Sequence, residues 1–305
     1  MIASSEKFSV GPLTALDGGD GEAVAVAPNR IATLGAMQAT WWVDAVPHRV
    51  ELPDVRVRGA RWSANGNAVL AGTGFVDVID ETWTTHPAFD GLVESGPPGR
   101  GGIEIQATSW SLDQSHAAAL LTWSGPTPES GDMPDAEVVL LDLNGESEPI
   151  KIPAAGASGL RIVRNYLVVA QPSVRIWNFA GVEVAVLPAT HGAPLALAGG
   201  DNGDPLVIID ANWSIRLVDT ATWTVQANWQ GTFFDAATVP GGIIAIDHEG
   251  VLHAGCFSDS EISEVGTFET GILAAQLAAT TDGHLAIIGG GPAAVHVASF
   301  QLNCE

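Results

Sequence analysis

The stretch Ser214-Ile215-Arg216-Leu217-Val218-Asp219 recurs along the chain, and a recurring unit constrains the fold more than any other property of these 305 residues. It aligns without gaps on Ser173-Val174-Arg175-Ile176-Trp177-Asn178 and, with a shift at its start, on Gly74-Phe75-Val76-Asp77-Val78-Ile79-Asp80. Glu137-Val138-Val139-Leu140-Leu141-Asp142 and Ala39-Thr40-Trp41-Trp42-Val43-Asp44 complete the set. In each copy a run of β-branched or aromatic residues stops at Asp or Asn and enters a polar turn, which is how a strand ends. Side chains alternate across a strand, so Ile215 and Leu217 share one face and Arg216 and Val218 the other. Two covered faces are implied, as in sheets packed side by side.

The terminal Asp or Asn falls at 44, 80, 142, 178 and 219, in steps of roughly 36, 62, 36 and 41 residues. Repeats of about 40–45 residues belong to four-stranded units arranged around an axis. The long step contains two insertions, residues 85–102 and 124–134. A second series has the same period: a short strand, a turn, then an apolar strand. Trp62-Ser63-Ala64-Asn65-Gly66-Asn67-Ala68-Val69-Leu70 matches Trp110-Ser111-Leu112-Asp113-Gln114-Ser115-His116-Ala117-Ala118, and further turns lie at Pro28-Asn29, Arg164-Asn165, Asp201-Asn202-Gly203, Pro240-Gly241 and Asp282-Gly283. Asn and Gly tolerate positive φ, which matches the twist of paired strands, so these are hairpins. They predict seven units.

Helical periodicity is nearly absent, because Gly or Pro interrupts almost every window long enough for an amphipathic helix. The 35 glycines, 18 prolines and 46% hydrophobic residues suit a large core joined by tight turns. The expected fold is all-β: a seven-bladed β-propeller, with six or eight blades as alternatives, and blades at 21–53, 57–85, 103–153, 157–188, 193–230, 232–269 and 271–302. The last blade shows only three strands. An orphan strand at residues 8–16 is therefore expected to complete it, closing the ring and removing exposed sheet edges. Residues 8–302 read as a single domain, with 1–7 and 303–305 as short tails.

The pattern resembles the WD40-like β-propeller family, whose repeat carries an Asp-Gly hairpin before its second strand and a third strand ending in an apolar residue and Asp. The resemblance is best at 57–83, 159–188 and 193–229. The family's Gly-His dipeptide occurs only as Gly283-His284, and its Trp-Asp dipeptide is nearest at Trp177-Asn178.

A formal net charge of -23 repels nucleic-acid phosphates and anionic lipid, so neither nucleic acid nor a membrane is an expected partner. No apolar run approaches the roughly 20 residues of a membrane helix, and residues 1–7 lack the basic start and apolar body of an export signal. A cytoplasmic location follows as the expectation, and with it reduced thiols at Cys256 and Cys304, with a late crosslink between the two as the alternative. Lys and Arg are absent after Arg216, whereas Arg49, Arg56, Arg58 and Arg61 fall together.

Loops between the second and third strands of a blade open on the same face as the loops between blades. Both insertions belong to that face and should be neighbours. They hold His86, Phe89, Leu92, Arg100 and Met133, a mixture of apolar anchors and charge, with Trp123 beside the second insertion, Arg56 in a nearby link and Arg58 at the start of the blade that follows it. Binding residues concentrate on elaborated loops carried by a rigid scaffold, and Arg pairs bind carboxylates bidentately. These eight are the candidate partner-binding residues.

Other constellations carry less. Asp17-Gly18-Gly19-Asp20-Gly21-Glu22 and Asp201-Asn202-Gly203-Asp204 lack the ligand spacing of a calcium loop and read as turns. Asp247-His248-Glu249-Gly250 with His253 reads as a hairpin turn with a strand histidine. Trp62 and Trp110 sit at equivalent repeat positions and read as blade packing. No phosphate loop, Gly-x-Ser-x-Gly or His-Glu-x-x-His occurs, and no cofactor is expected. The reading is a non-enzymatic scaffold or docking subunit with protein partners. The alternative is a propeller that binds a small-molecule ligand, or a hydrolase or lyase, with its site at the mouth of the central channel.

Overall fold

In the computed structural model, which describes residues 7–16, 23–27, 30–35, 37–43, 46–53, 60–92, 103–123, 136–188, 192–200, 204–258, 261–289 and 295–304, the strands form seven antiparallel blades. The expected turns at Asn65-Gly66, Asp113-Gln114, Arg164-Asn165, Pro240-Gly241 and Asp282-Gly283 each join the first two strands of one; Pro28-Asn29 and Asp201-Asn202-Gly203 lie outside the described residues. The chain opens with β1 (Phe8–Val10) and β2 (Thr14–Leu16). Blade 1 is β3 (Ala23–Ala27), β4 (Arg30–Leu34), β5 (Gln38–Val43) and β6 (Val46–Glu51); blade 2 is β7 (Ala60–Trp62), β8 (Ala68–Ala71), β9 (Gly74–Asp77) and β10 (Thr82–Thr85). Blade 3 is β11 (Ile103–Trp110), β12 (His116–Trp123), β13 (Ala136–Asp142) and β14 (Ile150–Pro153); blade 4 is β15 (Gly159–Val163), β16 (Tyr166–Ala170), β17 (Val174–Asn178) and β18 (Glu183–Leu187). Blade 5 is β19 (Ala196–Gly199), β20 (Leu206–Ile209), β21 (Ile215–Asp219) and β22 (Thr224–Trp229); blade 6 is β23 (Phe233–Val239), β24 (Gly242–Asp247), β25 (Val251–Phe257) and β26 (Ile262–Glu269). Blade 7 supplies only β27 (Ala274–Ala279), β28 (His284–Gly289) and β29 (Val295–Leu302) from the end of the chain.

The missing fourth strand of blade 7 comes from the start of the chain, in two pieces. Phe8 pairs with Leu302 and Val10 with Phe300; Thr14 then pairs with Val297 and Leu16 with Val295. The break falls at Gly11-Pro12-Leu13. The Gly11 amide donates to the Ser299 carbonyl at 2.8 Å, a Cβ at Gly11 would lie 2.6 Å from Ser299 Oγ, and Pro12 has no amide to continue the ladder. Phe8 and Val10 are buried with Phe300, Ile244 and Leu252 in the core between blades 6 and 7.

The first strands of successive blades approach one another around the ring, with β27 meeting β3, and line the central channel. The second strands are covered on both sides, which is why β20 (Leu206–Ile209) and β24 (Gly242–Asp247) are buried throughout. The recurring Asp or Asn proves to be a turn-former. Asp142 Oδ1 accepts from the Asn144 amide, Asp219 Oδ1 from Ala221, and Asn178 Oδ1 from Ala180 and Val182. In blade 2 that role belongs to Asp77, whose Oδ1 accepts from Ile79 and Asp80, so Asp77 and not Asp80 ends the strand. The tempting Val-Ile-Asp run at 78–80 is the turn that Asp77 closes.

The expectation of two free thiols is corrected. Cys256 and Cys304 form a disulfide with a Cα separation of 5.2 Å. Their separation of 48 residues hides an adjacency made by ring closure: Cys256 is the penultimate residue of β25 in blade 6, and Cys304 follows β29 in blade 7. Gly242 makes room for this passage, since a Cβ there would lie 2.7 Å from Leu302 and 3.0 Å from Cys304 Sγ. The Asn303 amide donates to the Lys7 carbonyl, so both ends of the chain are fastened at one place.

Candidate functional site

The antiparallel register of blade 3 places Ile103, at the start of β11, opposite Trp123, at the end of β12. The insertion before β11 therefore returns to the blade beside the point where the insertion after β12 departs. His86 begins the first of them. Its Nδ1 accepts from the Ala88 amide at 3.2 Å and caps a 3-10 turn at Pro87–Phe89. Burial holds the His86 imidazole below its ordinary pKa, against the opposing pull of Asp90.

Phe89, only 4% exposed, tilts against Trp110 at 5.3 Å, and His86 meets the same indole edge-on at 6.0 Å. Leu92 and Trp123 pack on the same cluster, which holds Ile103, Leu121 and Leu141. Four candidate residues, His86, Phe89, Leu92 and Trp123, are thus gathered at the junction of blades 2 and 3, where they anchor the roots of the loops. Arg56, Arg58, Arg100 and Met133 lie outside the described residues.

Trp62 and Trp110 face the preceding blade, Trp62 Nε1 donating to the Ala25 carbonyl and Trp110 Nε1 to that of Gly72. At 247–253 the Asp247 carboxylate closes the turn, accepting from the Glu249 and Val251 amides, and its Oδ2 lies 3.2 Å from His253 Nε2. Burial pushes the Asp247 pKa up, yet the bonds from Val251, His253 and Glu249 outweigh it and hold the carboxyl below its usual value. His253 Nδ1 lies 2.9 Å from Glu264 Oε2, and its ring meets Phe233 edge-on.

One mouth of the channel opens into a cavity of about 420 Å³, walled largely by alanines and backbone, with Arg61, Arg161, Asp204 and Thr238 among its polar side chains. The repeat explains the arginines. Taken from the turn-forming Asp or Asn of each blade, Arg61, Ser109 and Arg161 stand at one register position in blades 2, 3 and 4. Each bonds the next blade's innermost strand: Arg61 Nη1 donates to the Trp110 carbonyl, Ser109 Oγ accepts from Ile162, and Arg161 Nε donates to Gly199. Asp235 extends the pattern, with Oδ2 accepting from Leu277 of blade 7 and Oδ1 from Ala236. Asp235 is partly exposed, but the surrounding protein is dense enough to push its pKa to about 6, against the amide bonds and Arg161, which lower it. Among the described residues no group of three or more His, Cys, Asp or Glu is placed to hold a metal ion.

Solved structures share this architecture throughout. The chain covers 97% of itself and 92% of a chain in "Crystal Structure of Mitotic Checkpoint Complex", at 13% identity and a TM-score of 0.68. It matches "Structure of U3-55K" at 11% identity over 94% of this chain and 98% of that one, with a TM-score of 0.70. For "Crystal Structure Of The C-Terminal WD40 Domain Of Sif2" the values are 13%, 96%, 81% and 0.58. Its fold is that of a WD40 propeller. At such identities the likeness speaks for fold alone. No family model and no curated protein matches the sequence. No helix among the described residues is long and apolar enough to cross a membrane.

Proposed function

We propose that this propeller is a non-enzymatic scaffold that docks protein partners through the loop face of blades 2 and 3. The observation that carries the reading is the Ile103 and Trp123 pairing, which roots both insertions side by side on packed aromatic footings. His86, Phe89, Leu92 and Trp123 would hold the loops, and Arg56, Arg58, Arg100 and Met133 would meet the partner. A rigid base under elaborated loops is how binding surfaces are built on such scaffolds. One of the similar propellers was solved within a complex, the mitotic checkpoint complex, which fits this use of the fold.

Chemical cross-linking in the native host, followed by affinity capture of the full chain, tests the proposal. Partners retained by the intact protein should be lost when residues 124–134 are replaced by a short Gly-Ser linker. Unchanged partners after replacing each insertion in turn would remove this face from consideration. The Cys256–Cys304 disulfide is suited to an oxidising compartment, so we propose such a location in place of the cytoplasm. Thiol labelling of rapidly quenched cells checks it.

A further inference from the structure

Two irregularities in neighbouring blades display a pair of aromatic rings on the same loop face, away from blades 2 and 3. Trp213, in the β20–β21 loop of blade 5, has φ of +67°, a left-handed conformation that a bulky side chain adopts only under constraint. Its amide donates to the Asp210 carbonyl, and its carbonyl accepts from Phe233, the first residue of blade 6. The next residue, Phe234, occupies a β-bulge, where the register shifts between Phe233 and Asp235. Bulges re-aim side chains. The two rings stack at 6.0 Å with an interplanar angle of 20°, and both residues stay 39% exposed.

Beneath them Asp210 and Arg216 form an ion pair at 2.7 Å that is almost fully buried, and Arg216 Nη1 donates to the Pro188 carbonyl. This pair fixes the root of the loop and removes Arg216, the last basic residue of the sequence, from the surface. Leu195 ahead of β19 and Leu273 ahead of β27 are 46% and 71% exposed at the same end of blades 5 and 7. Glu249 and Glu269 are exposed at that end of blade 6. The surface is therefore aromatic and aliphatic, edged by carboxylates, and blades 6 and 7 contribute no Lys or Arg to offset them.

We propose that Trp213 and Phe234 receive an arginine-bearing linear segment of a protein partner, with its guanidinium on the stacked rings and its flanking apolar side chains toward Leu195 and Leu273. A guanidinium suits both features: it stacks on indole and benzene faces and is drawn to the carboxylates around them. A second copy of this chain is a poor occupant, because each copy carries a net charge of -23. The inference rests on the scaffold reading in general but uses a surface separate from the insertions.

Fluorescence anisotropy on the full chain tests it, with a short labelled peptide that alternates arginine and leucine and a counterpart carrying glutamate for arginine. The arginine peptide should bind, more weakly at high salt, and the glutamate peptide should not. Trp213→Gly is the informative variant, since glycine is at ease at φ +67°: the fold should be kept while affinity drops roughly tenfold or more, the size expected of an anchor residue. Phe234→Ser should act in the same direction, and Ile79→Ala in the β9–β10 loop on the opposite face should have no effect. Equal binding by both variants, or an equal loss with Ile79→Ala, overturns the proposal. Capture of native partners that depends on residues 124–134 but not on Trp213 would sink this inference and leave the scaffold reading standing. The reverse result would do the opposite.

Discussion

Arg61 and Arg161 stand at one register position two blades apart, and each donates to the backbone carbonyl of the following blade's innermost strand, Trp110 in one case and Gly199 in the other. The channel wall is thus laced from blade to blade by side-chain bonds as well as by apolar packing, with Ser109 and Asp235 extending the same device.

Asp235 makes that lacing sensitive to pH. Its carboxyl has a pKa of about 6 in the folded protein, raised from the ordinary aspartate value near 3.8, because burial disfavours the charge. Between those values the folded state holds a proton that the unfolded state has released, so this group's contribution to stability falls as pH rises from about 4 to about 6 and is level above. Urea unfolding at a series of pH values should show that fall superimposed on the other carboxylates, and Asp235→Asn should flatten it. A pH profile identical in the variant and the parent would contradict the burial account.

Ring closure by β1 should govern the stability of every blade. Phe8 and Val10 are buried against blade 7, and burying such side chains contributes about 1.5–3 kcal/mol each. Deleting residues 1–16 should therefore lower stability by at least roughly 3 kcal/mol by the same measure, read as a lower Tm in a thermal melt. An unchanged Tm would mean that blade 7 stands on three strands.

The disulfide closes the same seam from the other end of the chain. Cross-linking residues 48 apart restricts the unfolded chain by about 4 kcal/mol in the loop-entropy description. Reductant, or Cys256→Ser with Cys304→Ser, should lower the free energy of unfolding by an amount approaching that figure, read as a lower denaturation midpoint at unchanged slope. If reduction leaves the midpoint unmoved, the unfolded chain is already held compact by other contacts.

Most of the architecture was legible because it rests on local rules repeated seven times. Asn-Gly or Asp-Gly turns mark the first hairpin in three blades and looser turn pairs mark it in the other four, while a terminal Asp or Asn marks the third strand in the first five. Legibility failed where the deciding contact is distant in sequence. Asp80 looked like the strand end because Val78-Ile79-Asp80 mimics the motif, and only the bonds to Asp77 Oδ1 show otherwise. Cys256 and Cys304 meet through closure of the ring, which no spacing encodes. Phe89 looked like an exposed anchor, since a Pro/Gly-rich insertion gives no sign of which residues fold back; the 3-10 turn capped by His86 aims it at Trp110. The Trp213 and Phe234 pair was hidden for a related reason. A left-handed turn residue and a bulge are tertiary outcomes, and the sequence shows only a tryptophan after Asn212 and the second of two phenylalanines.

The ion pair under Trp213 gives the sharpest energetic test. Asp210 and Arg216 side chains are 1% and 3% exposed, and Arg216 Nε has no hydrogen-bond partner among the described atoms. Removing one member leaves an uncompensated charge in the interior, so Asp210→Ala should cost about 3–5 kcal/mol. Replacing both by apolar residues of similar volume removes the charge with its partner, so the double variant Asp210→Leu with Arg216→Met should recover most of that loss. The Pro188 carbonyl, which accepts from Arg216 Nη1, is then left without that donor, and this sets the part not recovered. Chemical denaturation of Asp210→Leu, Arg216→Met and the double completes the cycle. A double variant as unstable as Asp210→Ala would show that the pair matters for holding the β20–β21 loop against the Pro188 link and not through the charges it neutralises.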